Sequence, residues 1–335
     1  MADDELSFDL LWSTFTGYQR TAAIKAAIEL DVFTAIGEGA TTLDAIASRC
    51  EASRRGMRIL LDHLTMDGFV ARDGDRYRLS PTAAALLDRN APAYVGSAIT
   101  FIASPFVRAG FDRLTEAVRQ GGSVLTDGSM TPEHPMWVEF ARAMAPLAGM
   151  SALLLANVLE VEGAGPLRVL DVAAGHGLYG ITMARLNPAA KVTGLDWANV
   201  LAVAAENARL AEVADRWWPL AGSALEVALG GPYDLILLPN ILHHFDAPTC
   251  ERLLARMYGA LAPRGRVAIV EFVPNDDRQG PPDAVRFGLV MLAGTPGGDA
   301  YTFGEYERML RSAGFRDATM RDLVPTPGRV VVAAR

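Results

Sequence analysis

From residue 167 onward the chain alternates between apolar, strand-like segments and helical segments, and this alternation restricts the possible folds more than any other feature. The strand-like segments are short and rich in Val, Ile and Leu, and they are 167–172, 191–196, 233–238, 265–273 and 329–334. A late helix is expected to begin at the capping box that Thr302 and Glu305 form. Strands that alternate with helices predict an α/β fold with a doubly wound parallel sheet. We place this sheet in a domain over residues 166–335.

The first ninety residues have the pattern of a small, mostly helical module. Apolar and aromatic residues recur at helical spacing from Leu11 onward, and two further helices are expected after Thr42 and Ser53, which are suitable N-caps. Two short strands around Asp73-Gly74-Asp75 should then form a tight hairpin. Three helices followed by a hairpin indicate a winged helix over residues 1–90.

The segment between these two regions, residues 91–165, is predicted to be a mostly helical linker that also contributes to a ligand pocket. Its longest helical stretch contains Pro146, which predicts a kink or a division into two helices. The turn-rich sequence EGAGP ends the segment.

Winged helices often bind DNA, but the charge of this one argues against that role. Residues 1–90 contain ten Lys and Arg against fourteen Asp and Glu, and the whole chain has a net charge of −8. Arg54, Arg55 and Arg58 cluster on the third helix, where we expect them to form a solvated or substrate-side face. A nucleic-acid or anionic-membrane partner is therefore not expected.

The first helix carries Trp12, Phe15 and Tyr18, which is more aromatic surface than a small domain needs. Packing against the neighbouring helices would explain these residues. An interface with a second subunit would explain them equally well. The sequence leaves both interpretations open.

Composition restricts the remaining classes of protein. Half of the residues are hydrophobic and 21% are charged, which excludes a disordered chain. Two cysteines, Cys50 and Cys250, cannot build a disulfide scaffold or a cysteine zinc site, and no metal site is expected. Apolar stretches such as 235–238 are too short to span a bilayer, and the acidic start MADDELSF is unlike a secretory or mitochondrial address. We expect a cytoplasmic protein.

The turn after the first strand of the α/β region indicates a nucleoside-containing ligand. Gly175, Gly177 and Gly180 match G-x-G-x-x-G, and Asp196 follows about twenty residues later, where a carboxylate can bind a ribose diol. Asp171 precedes the glycines, where it would repel a diphosphate but suits a ligand that carries an ammonium and a sulfonium. Alternatively the glycines make only a tight turn, and Asp196 only caps the next helix. Hydride transfer with a nicotinamide cofactor ranks lower because of Asp171.

The order and spacing of four blocks together resemble a known family. These blocks are VLDVAAGHG with TGLDW, LLPNILHHFD, GRVAIVEFVP and MLAGTPGG. They resemble the S-adenosylmethionine-dependent small-molecule O-methyltransferases that have an N-terminal winged-helix dimerisation domain, and the resemblance covers nearly the whole chain. It implies a Rossmann-like methyltransferase sheet preceded by a mostly helical dimerisation domain. It also implies a homodimer, S-adenosyl-L-methionine with S-adenosyl-L-homocysteine as product, and a small aromatic or polyketide-like acceptor.

The resemblance further implies an in-line methyl transfer assisted by a histidine base. His243 stands at the base position, and Glu271 stands where the family has an acid that orients that histidine. His244 is the fallback base and faces the substrate. A second orienting glutamate is implied two residues after Gly297-Gly298, but this position is Ala300, so the residue is missing unless Asp299 substitutes for it.

The same correspondence gives the ligand-binding residues. Those implied for the cofactor are Asp171, Ala173, Gly175, Gly177, Asp196, Trp197, Ser223 and Asn240. Those implied for the substrate are Phe140, Met144, His244, Met291 and Thr295. Ala173 replaces the first glycine of the loop, and Ser223 replaces an acid that reaches the adenine amino group. Phe140 and Met144, at helical spacing, fit core packing equally well.

Two other classes of function stay open beside O-methylation. One is a C- or N-methyltransferase, or an enzyme of the same fold that binds S-adenosylmethionine without transferring its methyl group. The missing second glutamate keeps this class open. The other is a ligand-responsive winged-helix regulator, which the acidic charge of residues 1–90 disfavours.

Overall fold

The computed structural model describes residues 7–125 and 133–335 and contains two compact units, one up to Ser104 and one from Pro105 onward. The division at residues 90 and 165 stays a prediction.

The first unit is mostly helical and contains one β-hairpin. Its elements are α1 (Phe8–Phe15), α2 (Gly17–Glu29), α3 (Val32–Gly37), α4 (Leu43–Arg49), α5 (Arg54–Met66), β1 (Val70–Asp73), β2 (Arg76–Leu79), α6 (Pro81–Leu86) and α7 (Ala98–Ile102). Thr42 and Ser53 cap α4 and α5 as predicted, since their hydroxyls accept hydrogen bonds from the backbone amide of the third residue of each helix. The prediction of three helices was wrong in number, because the first helical stretch breaks at Thr16 and α3 follows it.

The aromatic residues of the first helical stretch are not core residues. No residue of α1 is buried, and the exposed fractions are 58% for Trp12, 64% for Phe15 and 71% for Tyr18. The core of this unit is built instead by α2 to α5 and the hairpin. Phe33 and Leu61 are among its fully buried side chains. The structure therefore removes core packing as the explanation for these aromatic side chains.

The second unit is an α/β layer structure with a seven-stranded sheet. Its elements are α8 (Pro105–Asp112), α9 (Leu114–Gln120), α10 (Met136–Val158), β3 (Leu167–Val172), α11 (Leu178–Leu186), β4 (Ala190–Asp196), α12 (Ala198–Leu210), β5 (Trp217–Ala221), β6 (Tyr233–Pro239), α13 (Ala247–Ala260), β7 (Leu261–Glu271), α14 (Pro282–Gly294), α15 (Phe303–Ser312), β8 (Arg316–Asp322) and β9 (Arg329–Ala334). The predicted capping box is present at α15.

The strand order in the sheet is β5-β4-β3-β6-β7-β9-β8. The first five of these pair in parallel, whereas β9 is antiparallel to both β7 and β8. This arrangement confirms the Rossmann-like sheet and corrects the expectation that it is wholly parallel. The chain order reverses between β3 and β6, and ligands of such sheets bind at the carboxyl ends of the strands at this point.

Helix α10 runs through Pro146 as a single helix, so of the two alternatives the division into two helices was wrong, and the kink stays a prediction. By length and composition alone, α10 could cross a membrane, and no other helix of the described residues meets that test. Core helices also meet it. Ala152, Leu155 and Ala156 of α10 belong to the apolar cluster on one face of the sheet, so this part of the helix packs in the core.

Candidate active site

The loop between β3 and α11 has a backbone that few side chains tolerate. Ala173, Gly175 and Gly177 have positive φ angles of 53°, 58° and 75°. A Cβ atom on Gly177 would lie 2.8 Å from the Cβ of Ala204, so this residue must be glycine for the loop to approach α12. The loop thus presents its backbone closely to whatever lies at the end of β3.

Asp171, at the end of β3, has one satisfied and one unsatisfied carboxylate oxygen. The Gly180 amide donates to its Oδ2 at 2.8 Å, whereas its buried Oδ1 has no partner among the described residues. Burial raises the pKa of Asp171 from 3.8 to about 8, with the Gly180 bond opposing that effect and the charge of Asp196 adding to it. An unpartnered buried carboxylate oxygen is a site for a ligand that carries a positive charge or a hydrogen-bond donor.

Asp196, at the end of β4, holds the glycine loop by a hydrogen bond. Its Oδ2 accepts a hydrogen bond from the Gly175 amide at 2.8 Å, and its Oδ1 accepts one from the Trp197 amide at 2.7 Å. Trp197, not Asp196, is the N-cap of α12. Burial raises the pKa of Asp196 to about 6. Each carboxylate oxygen keeps a second lone pair, which leaves Asp196 able to accept two hydroxyl hydrogens of a diol.

The other residues predicted for the cofactor follow neighbouring strands. The amide of Gly222, after β5, donates to the Asp196 carbonyl at 3.0 Å, and Ser223 accepts a bond from the Leu225 amide at 3.2 Å. Asn240, after β6, has φ = 54°, and its backbone amide donates to the Val270 carbonyl at 2.8 Å. The ends of β3, β4, β5 and β6 therefore bring all the predicted residue positions to one edge of the sheet.

His243 and Glu271 form a buried pair at the same edge. His243 lies in a single 3₁₀ turn, Leu242–His244, after β6, and Glu271 is the last residue of β7. The distance from His243 Nδ1 to Glu271 Oε2 is 2.5 Å, and Oε1 accepts hydrogen bonds from the amides of Leu242 at 3.0 Å and His243 at 3.4 Å. A carboxylate at Nδ1 favours the tautomer with the proton on that atom, which leaves Nε2 free to accept a proton.

His244 has a different environment from His243. Its ring lies 4.3 Å from the His243 ring and meets the Trp137 ring edge-on at 5.4 Å. Its Nδ1 is buried with no partner among the described residues. Burial, and then the neighbouring His243, lower the pKa of His244 well below its usual value, so the ring is neutral. His244 lacks the carboxylate contact of His243, which makes it the weaker candidate for a base.

Aromatic rings surround the histidine pair, and sequence reasoning missed three of them. Phe287 of α14 meets the His243 ring edge-on at 4.8 Å and stacks on Phe272 at 4.3 Å. Trp137 of α10 lies 5.8 Å from the ring of Phe140, which was predicted. Phe272 directly follows Glu271, and Trp137 precedes Phe140 by three residues, so local sequence signals existed for both. Phe287 had none.

The remaining substrate candidates are Met144, Met291 and Thr295, and Thr295 makes hydrogen bonds within its own segment of the chain. Met144 is half-buried on α10, and Met291 is buried on α14. The buried Thr295 hydroxyl donates to Met291 O at 2.7 Å and accepts from the Gly298 amide at 2.9 Å, so it caps the end of α14. A substrate role for these three residues stays a prediction.

Asp299, the possible substitute for the second orienting acid, contacts Arg278 and the backbone of the next residue. Its Oδ2 lies 3.5 Å from Arg278 Nη2, and its Oδ1 accepts a bond from the Ala300 amide at 2.7 Å. Burial raises its pKa, while Arg278 opposes this shift. Among the described residues, no group of three or more His, Cys, Asp and Glu side chains is arranged to hold a metal ion.

Comparison with family models gives two matches that together span most of the chain. Residues 138–316 match the O-methyltransferase domain, and residues 12–89 match the O-methyltransferase dimerisation domain. The first match alone covers more than half of the chain.

Individual relatives extend over the full length. The 3-hydroxy-5-methyl-1-naphthoate 3-O-methyltransferase of Streptomyces sahachiroi is 31% identical over 97% of this chain and 95% of its own. A crystal structure of a Nostoc punctiforme PCC 73102 protein assigned as an O-methyltransferase is 49% identical with a TM-score of 0.94, over 99% of this chain and 100% of that one. Human N-acetylserotonin methyltransferase, solved with S-adenosylmethionine, is 23% identical with a TM-score of 0.86, over 100% of this chain and 99% of its own.

Proposed function

The chain belongs to the O-methyltransferase family and carries that family's dimerisation domain, and from this membership we propose that it transfers the methyl group of S-adenosylmethionine to a hydroxyl oxygen of a small aromatic or polyketide-like molecule, with His243 as general base. The observation that carries the proposal is the buried contact between His243 Nδ1 and Glu271 Oε2 at the edge of the sheet where the glycine loop lies.

The residues at the ends of β3 and β4 fit S-adenosylmethionine. The unpartnered Oδ1 of Asp171 offers a site for the ammonium group of its methionine part. Both oxygens of Asp196 have lone pairs left for the ribose hydroxyls, and the backbone of Gly175 and Gly177 allows close approach. Trp197, Ser223 and Asn240 are the proposed contacts nearer the adenine and the sulfur.

When bound, the cofactor supplies a methyl group on a positively charged sulfur. His243 Nε2 accepts the proton of the acceptor hydroxyl as its oxygen bonds to the methyl carbon and the carbon–sulfur bond breaks. Glu271 stabilises the imidazolium that results, because its carboxylate lies against Nδ1–H. The products are a methyl ether, S-adenosylhomocysteine and a proton that His243 later releases.

The rings around the histidine pair favour a flat acceptor. Trp137, Phe140, Phe272 and Phe287 present aromatic surface, which stacks on planar substrates better than on flexible aliphatic ones. The Streptomyces sahachiroi relative is named for methylation of a hydroxynaphthoate. We therefore place the acceptor among phenols or polyketide-like aromatics.

The exposed aromatic face of α1 supports a homodimer. Phe8, Trp12 and Phe15 lie on a helix with no buried residue, and the family match over residues 12–89 is a dimerisation domain. A second copy of the chain would remove this apolar surface from water. A cytoplasmic location stays a prediction.

Ligand binding and product balance test the proposal. S-adenosylhomocysteine, NADH and NADPH are each added to the protein, and the midpoint of thermal unfolding is measured. A ligand at 100 times its Kd adds about 2.7 kcal/mol of stability, which is several degrees. A shift with S-adenosylhomocysteine alone supports the cofactor. A shift with the nicotinamides alone contradicts it, and acceptor conversion without release of S-adenosylhomocysteine contradicts methyl transfer.

A further inference from the structure

The turn that carries His243 has side-chain partners on its carbonyl side as well as on its amide side. Glu271 accepts from the amides of Leu242 and His243, as described above. On the other side, the Cys250 thiol donates to the Leu242 carbonyl at 3.1 Å, and the Tyr301 hydroxyl donates to the Phe245 carbonyl at 2.7 Å. The backbone from Leu242 to Phe245 is therefore held by side chains at its amides and by other side chains at its carbonyls.

The two carbonyl-side donors come from separate elements. Cys250 lies in the first turn of α13, and Tyr301 lies in the segment between α14 and α15. Both are buried, and their side chains also lie within hydrogen-bonding range of each other. Burial, followed by the charge of Glu271, raises the pKa of the Cys250 thiol to about 12, and burial also raises the pKa of Tyr301. Both groups keep their protons at neutral pH and remain donors.

A single 3₁₀ turn needs such support. Its internal hydrogen bonds have poorer geometry than those of an α-helix, and a turn of three residues has few of them. Leu242 is completely buried, so without the thiol its carbonyl keeps only the Phe245 amide, which donates to it at 3.1 Å and closes the turn. Rotation of that peptide toward another donor would carry the next residue, His243, away from Glu271.

The turn at Gly298, between α14 and α15, packs closely against the same backbone. A Cβ atom on Gly298 would lie 2.1 Å from the carbonyl oxygen of His243. Three residues further along the chain, Tyr301 reaches Phe245. The position where the family resemblance implies a second orienting acid is Ala300, and Asp299 contacts Arg278 instead.

We propose that Tyr301 and Cys250 are positioning residues, which hold the His243 ring in register with Glu271 through the carbonyls of Phe245 and Leu242 and take over the task of the missing second acid. This inference rests on the proposed role of His243 as base. Neither residue touches substrate or cofactor in it. They act only through the backbone of the turn.

Tyr306 provides a matched control for Tyr301. Its ring lies 5.8 Å from that of Tyr301, and the side chain is completely buried. Its hydroxyl has no hydrogen-bond partner in the described part of the chain. Tyr306→Phe therefore removes the same atom from the same core without removing a contact to the turn. Cys250→Ser keeps a donor where Cys250→Ala removes it.

The test is the tautomer of the His243 ring, which long-range ¹H–¹⁵N correlation spectra of histidine-labelled protein report without any methyl acceptor. His243→Gln assigns the signals. We expect wild-type His243 to carry its proton on Nδ1 alone, with and without S-adenosylhomocysteine. Tyr301→Phe and Cys250→Ala should move both ring nitrogen shifts toward the average of the two tautomers. Tyr306→Phe and Cys250→Ser should leave them as in the wild type.

Three results would overturn the inference. The first is a wild-type spectrum in which His243 already averages between tautomers. The second is an unchanged spectrum in Tyr301→Phe and Cys250→Ala. The third is an equal change in Tyr306→Phe, which would assign the effect to core packing. Thermal unfolding of each variant checks that it folds. Because no methyl transfer is measured, the result is independent of whether the acceptor class is correct.

Discussion

Glu271 contacts His243 twice, at the ring through Oε2 and at the backbone amide through Oε1. One carboxylate therefore fixes both the tautomer of the imidazole and the position of the residue that carries it. Both side chains are buried, so the pair is shielded from competing water. The adjacent His244 has no such contact, and this difference leads to the first prediction.

Substitution of His243 by alanine should lower kcat by roughly 10²–10⁴, the usual worth of a general base. The Kd for S-adenosylhomocysteine should change little, because the side chain is proposed to act on the acceptor. Steady-state kinetics with a phenolic acceptor and calorimetric titration measure the two quantities. His244→Ala is the matched variant and should retain most of kcat. If the two variants exchange these results, His244 is the base.

Cofactor binding should release a proton from Asp171. In the free protein the pKa of Asp171 is raised by burial to about 8, so the group is mostly protonated at pH 7. An ammonium beside the carboxylate favours its charged form, so the proton leaves and affinity rises between about pH 6 and pH 8. Titration calorimetry in buffers of different ionisation enthalpy counts the protons. Asp171→Asn should abolish the release, and a pH-independent affinity of the wild type would contradict the assignment.

The same shift predicts how the ligand-free protein responds to pH. The folded-state pKa of Asp171 lies above its unfolded value of 3.8. The folded protein thus holds a proton that the unfolded chain gives up, and this contribution to stability is complete in acid and is lost as pH rises through about 8. The thermal midpoint of Asp171→Asn should consequently fall less than that of the wild type between pH 6 and pH 8. Parallel slopes would argue against a raised pKa.

Substitution of Asp196 by alanine should weaken cofactor binding by roughly 10- to 100-fold, the worth of two hydrogen bonds. The substitution also frees the Gly175 amide, so the loop loses its attachment to β4. Asp283→Ala, at an exposed position of α14, is the control and should leave binding unchanged. Equal affinity of Asp196→Ala and the wild type would remove Asp196 from the cofactor site.

Alanine at Gly298 should displace the turn that carries His243, because the new Cβ atom would lie 2.1 Å from the His243 carbonyl oxygen. We expect a loss of about 1–3 kcal/mol in unfolding free energy together with a fall in kcat. Gly259 in α13 is the control, since a Cβ atom there meets nothing within 4 Å and alanine favours a helix by up to about 1 kcal/mol. Thermal unfolding and kinetics of both variants decide the matter.

Charged substitution on α1 should dissociate the proposed dimer. A lysine at Trp12 or Phe15 places charge on surface that we assign to a second copy, and it costs the monomer little because both residues are exposed. Sedimentation at micromolar concentration should show dimer for the wild type and monomer for the variants. Leu210→Lys, at an exposed position of α12, should remain dimeric. A monomeric wild-type protein would contradict the dimer.

Sequence patterns predicted the parts of this structure that depend on the order of strands and helices along the chain. Asp171 and Asp196 lie at the ends of apolar strands and His243 follows one, and parallel strands end at one edge, so the placement of these residues at that edge was predictable. Strand β8, by contrast, has the sequence RDATMRD and is mostly exposed, so no apolar run marks it. It forms because β9 offers it an antiparallel partner, which is a property of the completed sheet.

Contacts between segments distant in sequence could not be predicted from such patterns. Phe287 contacts His243 from 44 positions further along the chain, and nothing in the sequence around it marks that contact. The hydrogen bonds of the Thr295 hydroxyl with Met291 and Gly298 are likewise a consequence of how α14 ends, and the substrate role of Thr295 stays a prediction. Pro146 did not divide α10, because the packing of that helix on the sheet outweighs the loss of one backbone hydrogen bond.

Three of the four rings that we propose to face the acceptor lie on helices, whereas the groups that we propose to perform the chemistry lie at strand ends or in the turn after β6. Asp171 and Glu271 stand at strand ends and His243 in that turn, whereas Trp137 and Phe287 stand on helices. Changes in the shape of the helical wall need not disturb the strand ends, so a lineage with this architecture can drift from one acceptor to another while its reaction stays the same. The chemical step is inherited with the sheet, and selectivity is free to evolve on the helices that cover it.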